Sequence, residues 1–412
     1  MKGTYHIYIE GFDYGCAVVK AVLKLDAVID TVSRKDIKVT EHKQITDFTK
    51  IPQFPVIEAD FERTVLDIYT ADENGTRTDL PSDTVVIEMD ESPAEGNPVL
   101  FSMQTMLNTW SDPYELHFAI AEGSELTSGG RPVETLEIEA KETGRTTCAD
   151  QYVLKSFTAK NGQTMKYACW SPEGGSKNLV IWLHGLGEGG VEKTDPLVTL
   201  MANKDWILGK EAFQNAVGGA NILVPQCPTW WMDGDGTGGN LNNGGIIATE
   251  KSFYTEALHE LITSYKEETG SEKLALAGCS NGGYMTVVMA MNYPDLFHAI
   301  VPICEAVPAK CISDEAVNAL KDIPSYYVFS KDDNVVDPSL HELPLLERLK
   351  KAGAKDLHVS TTDHVIDTSG KYKMPDGSPH MYSGHWSWIY FFNNECSADG
   401  LKAWDFIAEH LK

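Results

Sequence analysis

Positive charge is what this sequence has least of: 34 Lys and Arg stand against 60 Asp and Glu, a formal net charge of −26. Nucleic acid and anionic membranes require a positive field, so neither is an expected partner. The deficit is not confined to a tail. Residues 1–150 hold 13 basic and 28 acidic side chains, and the remaining residues carry the other −11. Cysteine is also sparse, scattered at 16, 148, 169, 227, 279, 304, 311 and 396 with no CxxC pair. That argues against zinc ribbons, thioredoxin-type redox motifs and a disulfide-stapled scaffold. No apolar run reaches the roughly 18–20 residues of a membrane span. The opening Met1-Lys2-Gly3-Thr4-Tyr5-His6-Ile7-Tyr8 lacks the apolar core of a signal peptide. The chain as written therefore reads as soluble and unexported, or as a secreted protein whose signal has been removed.

What is present is enough apolar residue, 42% of 412, to build sizeable cores, and the length suggests two domains. Short alternating runs recur at 5–9, 17–25, 37–39, 64–69, 84–89, 115–119 and 135–138, separated by turn formers such as Glu73-Asn74-Gly75. About seven short strands with little helical periodicity predict an all-β sandwich over residues 1–145. The polar stretch 141–150 is the expected linker. From residue 146 the pattern changes to compact apolar runs at 177–183, 221–224, 273–277, 299–303 and 325–329, alternating with helical periodicity at 249–266, 283–292, 340–352 and 401–411. Such alternation predicts an α/β fold with a mostly parallel sheet and helices on both faces, spanning 146–412.

One segment carries the chemistry. Gly278-Cys279-Ser280-Asn281-Gly282 is a GxSxG with a strand before it and a helical run after it. That is the context of a nucleophile elbow, in which a strained turn exposes a serine hydroxyl. A serine needs a base to take its proton and a carboxylate to orient the base, in the chain order Ser, acid, His. The strand at 325–329 runs into Ser330-Lys331-Asp332-Asp333, where Asp333 is the expected acid and Asp332 its rival. Asp337 reads instead as the N-cap of a following helix. Of the later histidines, His385 in Ser383-Gly384-His385-Trp386 is the expected base, ahead of His380 and His364. An oxyanion hole should draw on the N–H of Asn281, after the nucleophile, and on Leu186 or Gly187 in the His184-Gly185-Leu186-Gly187-Glu188 loop. No GxxxxGK[ST] or Rossmann context supports reading that loop as a phosphate cradle.

These motifs carry a resemblance. His184-Gly185-x-Gly187-Glu188, Val224-Pro225-Gln226-Cys227, Gly278-Cys279-Ser280-Asn281-Gly282-Gly283 and Gly384-His385-x-Ser387-Trp388 resemble the esterase and prolyl-oligopeptidase-like group of α/β-hydrolases. Glu10-Gly11-Phe12-Asp13-Tyr14-Gly15 followed by Val18-Val19-Lys20, with Asn108-Thr109-Trp110 and Tyr114, resembles the immunoglobulin-like domain of two-domain bacterial esterases of the EstA type. The resemblance implies carboxylic ester hydrolysis through Ser280, Asp333 and His385, without a cofactor.

Around that core the expectations are looser. Glu188, Trp230 and Trp231 are candidates for a substrate pocket, beneath a flap made by the Gly-rich stretch 234–245; the alternative is two tryptophans packed under a surface loop. Asp233-Gly234-Asp235 is reminiscent of a calcium loop, but residue 244 is Gly where an EF-hand places Glu, so no metal is expected. The expected substrate is a small-molecule or polysaccharide-linked ester with a short acyl or plant-polymer-derived group. A serine peptidase of the oligopeptidase type and a non-catalytic binding or assembly protein are the alternatives. The N-terminal domain could mediate a homo-oligomer.

Overall fold

Period-two burial builds the first part of the chain. In the strand Lys2–Phe12, Tyr5, Ile7 and Ile9 are at most 1% exposed while the residues between them are partly open. This strand pairs antiparallel with Gly15–Ile29, which pairs in turn with Ser82–Met89, and that with Val65–Ala71. A second sheet joins Val56–Glu62, Ile37–Thr46 and Tyr114–Ile120. Tyr5 from the first sheet meets Phe118 from the second edge-on at 5.2 Å, so the two inner faces share one core. The computed structural model describes residues 1–190, 194–238 and 246–412.

The β-sandwich expectation holds, with two differences. The strands Val56–Glu62, Val99–Ser102 and Leu107–Trp110 lie in stretches where the sequence pattern showed no strand. Val56–Glu62 buries none of its residues fully, so it has no apolar alternation to read. The expected linker at 141–150 is instead part of this unit. Thr143 N–H donates to Tyr5 O, Gly144 O accepts Ile7 N–H, and Arg145–Thr147 pairs in parallel with Ile7–Ile9. The outer edge of the first strand needs these partners, and the first unit accordingly runs to Asp150 rather than to residue 145.

The second unit, Gln151–Lys412, is built on eight strands. They are β1 (Val153–Thr158), β2 (Thr164–Trp170), β3 (Asn178–Leu183), β4 (Asn221–Gln226), β5 (Lys273–Cys279), β6 (Ala299–Ile303), β7 (Ser325–Ser330) and β8 (Leu357–Thr362). Their order is β1-β2-β4-β3-β5-β6-β7-β8, antiparallel through β1, β2 and β4 and parallel from there on. Strands β4 and β6 are buried at every residue, which is why they appear as unbroken apolar runs. Three helices, Pro196–Ala202, Glu211–Val217 and Asp314–Leu320, escaped the periodicity because each is only seven residues long. The pairings Leu183↔Gly278, Cys279↔Ile303 and Ser330↔Thr362 bring the carboxyl ends of five strands to one side. No helix among the described residues is long and apolar enough to cross a membrane.

Candidate active site

The turn from β5 into the helix Asn281–Asn292 holds Ser280 at φ 55° and ψ −116°, a left-handed conformation that is costly for a residue with a side chain. Its neighbours make the turn possible. A Cβ on Gly278 would stand 2.6 Å from Gly282 O and 2.8 Å from Leu183 O, and one on Gly282 would overlap the backbone of Leu183 and His184. Only glycine fits at either position. Ser280 N–H donates to Ile303 O at 2.9 Å, which ties the turn to the end of β6.

The hydroxyl reaches the histidine foreseen from the sequence. Ser280 Oγ lies 2.8 Å from His385 Nε2, and His385 Nδ1 lies 2.7 Å from Asp333 Oδ2. An ionised carboxylate can only accept, so Nδ1 carries the proton and Nε2 is free to accept from the serine hydroxyl. Asp333 is held in turn by the N–H groups of Val335 and Val336, both donating to Oδ1 at 2.9 Å. Asp333 and His385 are 5% and 8% exposed, so the chain of hydrogen bonds lies largely out of water. Asp332 has different partners: it accepts from Ser330 Oγ at 2.5 Å and faces His364 Nδ1 at 2.7 Å. Asp337 is not a helix cap. It accepts Ser339 N–H in a turn, and the helix Glu342–Ala352 starts later without a side-chain cap.

The loop after β3 is pinned rather than free. His184 is wholly buried; its Nδ1 donates to Gly185 O at 2.5 Å, and its Nε2 accepts Cys227 N–H at 2.9 Å. Burial pushes its pKa down to about 4, so the ring bridges the β3 and β4 loops as a neutral tautomer. Gly190 N–H donates to Cys227 O at 2.6 Å, and Gln226 Nε2 donates to Glu188 O at 3.2 Å. Leu186 opens the short helix Leu186–Glu188, and Asn281 opens Asn281–Asn292. As first residues, their N–H groups have no acceptor within their own helix. The sequence reading missed His184 as a structural bridge, although a histidine ending an apolar strand was the visible signal.

Of the two readings of the tryptophan pair, pocket lining or packing, their burial matches packing. Trp231 is wholly buried, its ring 5.2 Å from that of His184, and its backbone N–H donates to Asn281 Oδ1 at 2.6 Å. It is tied to the first residue of the elbow helix and has no exposed face to offer a ligand. Trp230 is 4% exposed. Glu188 is equally buried, with its carboxylate against Gly185 and near Asp205. Asp233, the start of the supposed calcium loop, uses its carboxylate to accept from Thr229 Oγ1 and from the N–H groups of Asp235, Gly236 and Gly238. Of the expected flap at 234–245, residues 239–245 lie outside the described residues. Burial raises the thiols of Cys279 and Cys304 well above their ordinary range, so neither is poised to act as a nucleophile beside Ser280.

Comparison with known proteins agrees with this architecture. Residues 4–128 match the model of the esterase Ig-like N-terminal domain, and residues 166–371, half of the chain, match that of the phospholipase/carboxylesterase family. A thermostable esterase of known structure is 20% identical, covering 95% of this chain and 96% of its own at a TM-score of 0.67. A ferulic acid esterase is 12% identical, covering 63% of this chain and 97% of its own at a TM-score of 0.44. A search of curated proteins found no match. With a β-sandwich, an α/β-hydrolase sheet and both family models aligned on them, the chain belongs to the phospholipase/carboxylesterase family and is a hydrolase of esters preceded by an Ig-like domain.

Proposed function

We propose that the protein is a serine carboxylesterase working through an acyl-enzyme. The observation that carries this reading is the continuous Ser280–His385–Asp333 chain of hydrogen bonds, 2.8 and 2.7 Å long. His385 takes the proton from Ser280 as Oγ attacks the ester carbonyl, and returns it to the departing alcohol. Asp333 fixes the productive tautomer and stabilises the imidazolium that forms. The N–H groups of Leu186 and Asn281 receive the developing oxyanion, and the pinned β3 loop keeps the first of them in place without reorganisation. Water, activated by the same histidine, then releases the acid. The substrate is a neutral ester with a short acyl or plant-polymer-linked group, free or carried on a polysaccharide.

A fluorophosphonate should label Ser280, and the protein should cleave p-nitrophenyl acetate. Ser280→Ala should lose labelling entirely and lower kcat by at least about a thousandfold. Full activity in Ser280→Ala or in His385→Ala would overturn the assignment. A panel running from acetate to octanoate, with methyl ferulate and acetylated xylan, reads out the acyl and alcohol preference.

A further inference from the structure

Two carboxyl groups behind the triad acid have no part in the chemistry above. Glu305, two residues beyond β6, is wholly buried, and Glu342, first residue of the helix Glu342–Ala352, is 1% exposed. One oxygen of Glu305 accepts Val307 N–H at 2.7 Å. Its other oxygen, both oxygens of Glu342 and the hydroxyl of Tyr327 on β7 make no well-formed hydrogen bond among the described residues. Apart from the triad histidine His385, which adjoins Cys304 and Asp333, the surrounding groups are acidic or neutral: Glu342 faces Glu305 and Asp333, Tyr327 faces both glutamates, and Cys304 faces Asp333 and Glu342. The nearby cations are committed elsewhere. Arg348, on the same helix as Glu342, binds the Ala309 and Ile312 carbonyls and Asp314, and His341 turns to the Asp337 carbonyl.

Two carboxylates in an apolar enclosure without a cation cannot both be charged at low cost. A retained proton relieves the repulsion and adds a donor among carboxylate oxygens that lack a well-formed hydrogen bond. We propose that Glu305 and Glu342 are a positioning pair that keeps a proton at neutral pH, holding residues 303–307 against the helix Glu342–Ala352, and that its loss in alkali loosens the nucleophile elbow. This rests on the serine esterase reading. Burial holds Glu305 up at about 8 and pushes Glu342 well above its ordinary range, with Glu305 as the next contributor. The link to the elbow is direct. Ile303 O accepts Ser280 N–H, Cys304 N–H donates to Val328 O at 2.8 Å, and a Cβ on Gly283 would lie 2.9 Å from Glu305 Cα. A shift of residues 303–307 therefore displaces Ser280 relative to His385, which affects kcat rather than KM.

The sign of the stability effect follows from the raised values. Between the ordinary glutamate value of 4.5 and about 8, the folded chain holds a proton that the unfolded chain has lost. This contribution is full below that window and is lost as pH rises through it. The test compares the parent, Glu342→Gln and the double variant Glu305→Gln/Glu342→Gln across pH 5–10. The readouts are kcat and KM for p-nitrophenyl acetate corrected for spontaneous hydrolysis, Tm, and the infrared band of protonated carboxyl groups. The parent should lose kcat on the alkaline side as that band disappears. The double variant should lack the band's share at neutral pH and lose less Tm toward pH 8. Its kcat at pH 9.5 relative to pH 7 should be about tenfold or more above the parent's, because pH 9.5 lies more than one unit beyond a limb near 8 and the variant lacks the groups that carry that limb. Glu342→Gln should move in the same direction and carries the comparison if the double variant does not fold. Unchanged alkaline limbs, or an unchanged carboxyl band at neutral pH, would overturn the proposal. Absence of ester turnover at every pH would instead count against the esterase reading, with the band and Tm still judging the pair.

Discussion

At the scale of single residues, the sharpest distinction is between two adjacent aspartates. Asp333 faces His385 and receives two backbone N–H groups, whereas Asp332 faces Ser330 and His364. Asp333→Asn should reverse the histidine tautomer and lower kcat by about 10⁴-fold with little change in KM. Asp332→Asn should leave kcat within about tenfold of the parent, since its carboxylate packs against Gly384 and bonds Ser330 and His364 but does not reach His385. Steady-state kinetics on one chromogenic ester separates the two. Ser280 and His385 were legible in the sequence because each sits in a motif with a steric or chemical reason. The choice between Asp332 and Asp333 rested on a motif, because one residue of chain cannot reveal which carboxylate turns inward. Trp231 stayed open between pocket and core for a related reason: composition signals an aromatic side chain but not whether it faces a cleft or the core. Glu305 did leave a trace, as a lone acid in the apolar run Val301-Pro302-Ile303-Cys304-Glu305-Ala306-Val307.

At the scale of elements, the elbow works because β3, β5 and the following helix approach more closely than side chains permit. A methyl group on Gly282 would collide with Leu183 and His184 backbone, which cannot swing aside as a flexible side chain would. Gly282→Ala should therefore destabilise the catalytic unit by about 3 kcal/mol or more, seen as lost soluble yield or a large fall in Tm. The long elements were readable from periodicity, and the seven-residue helices were not. One of those short helices, Pro196–Ala202, is capped by Asp195, whose side chain accepts from Leu197 and Val198 N–H. That Asp-Pro start is a local signal that survives where two turns are too few to show a face.

At the scale of the whole molecule, the charge of −26 should bias the protein against anionic substrates without taking part in the reaction. An anionic ester approaches against the field, while a neutral one does not. The kcat/KM of a neutral short-chain ester should exceed that of the matching half-ester of a dicarboxylic acid by about tenfold at low salt. The gap should narrow as salt is added, because screening acts over about 10 Å at 0.1 M. The two-part organisation was legible in the change from alternating strands to alternating strands and helices. Its boundary was not, because residues 141–150 are polar enough to look like a tether although Arg145–Thr147 within them is strand.

That misread strand has a consequence for how the protein is made. During synthesis the strand Lys2–Phe12 finds one neighbour at once in Gly15–Ile29, but its other edge is completed by Glu137–Ile138 and Arg145–Thr147. The N-terminal sheet stays open along that side until nearly the whole unit has been synthesised. Its closing contacts span the longest sequence separations in the unit, a topology that slows folding and prolongs exposure of a bare edge. Synthesis of the catalytic unit thus begins just as the preceding unit becomes able to close.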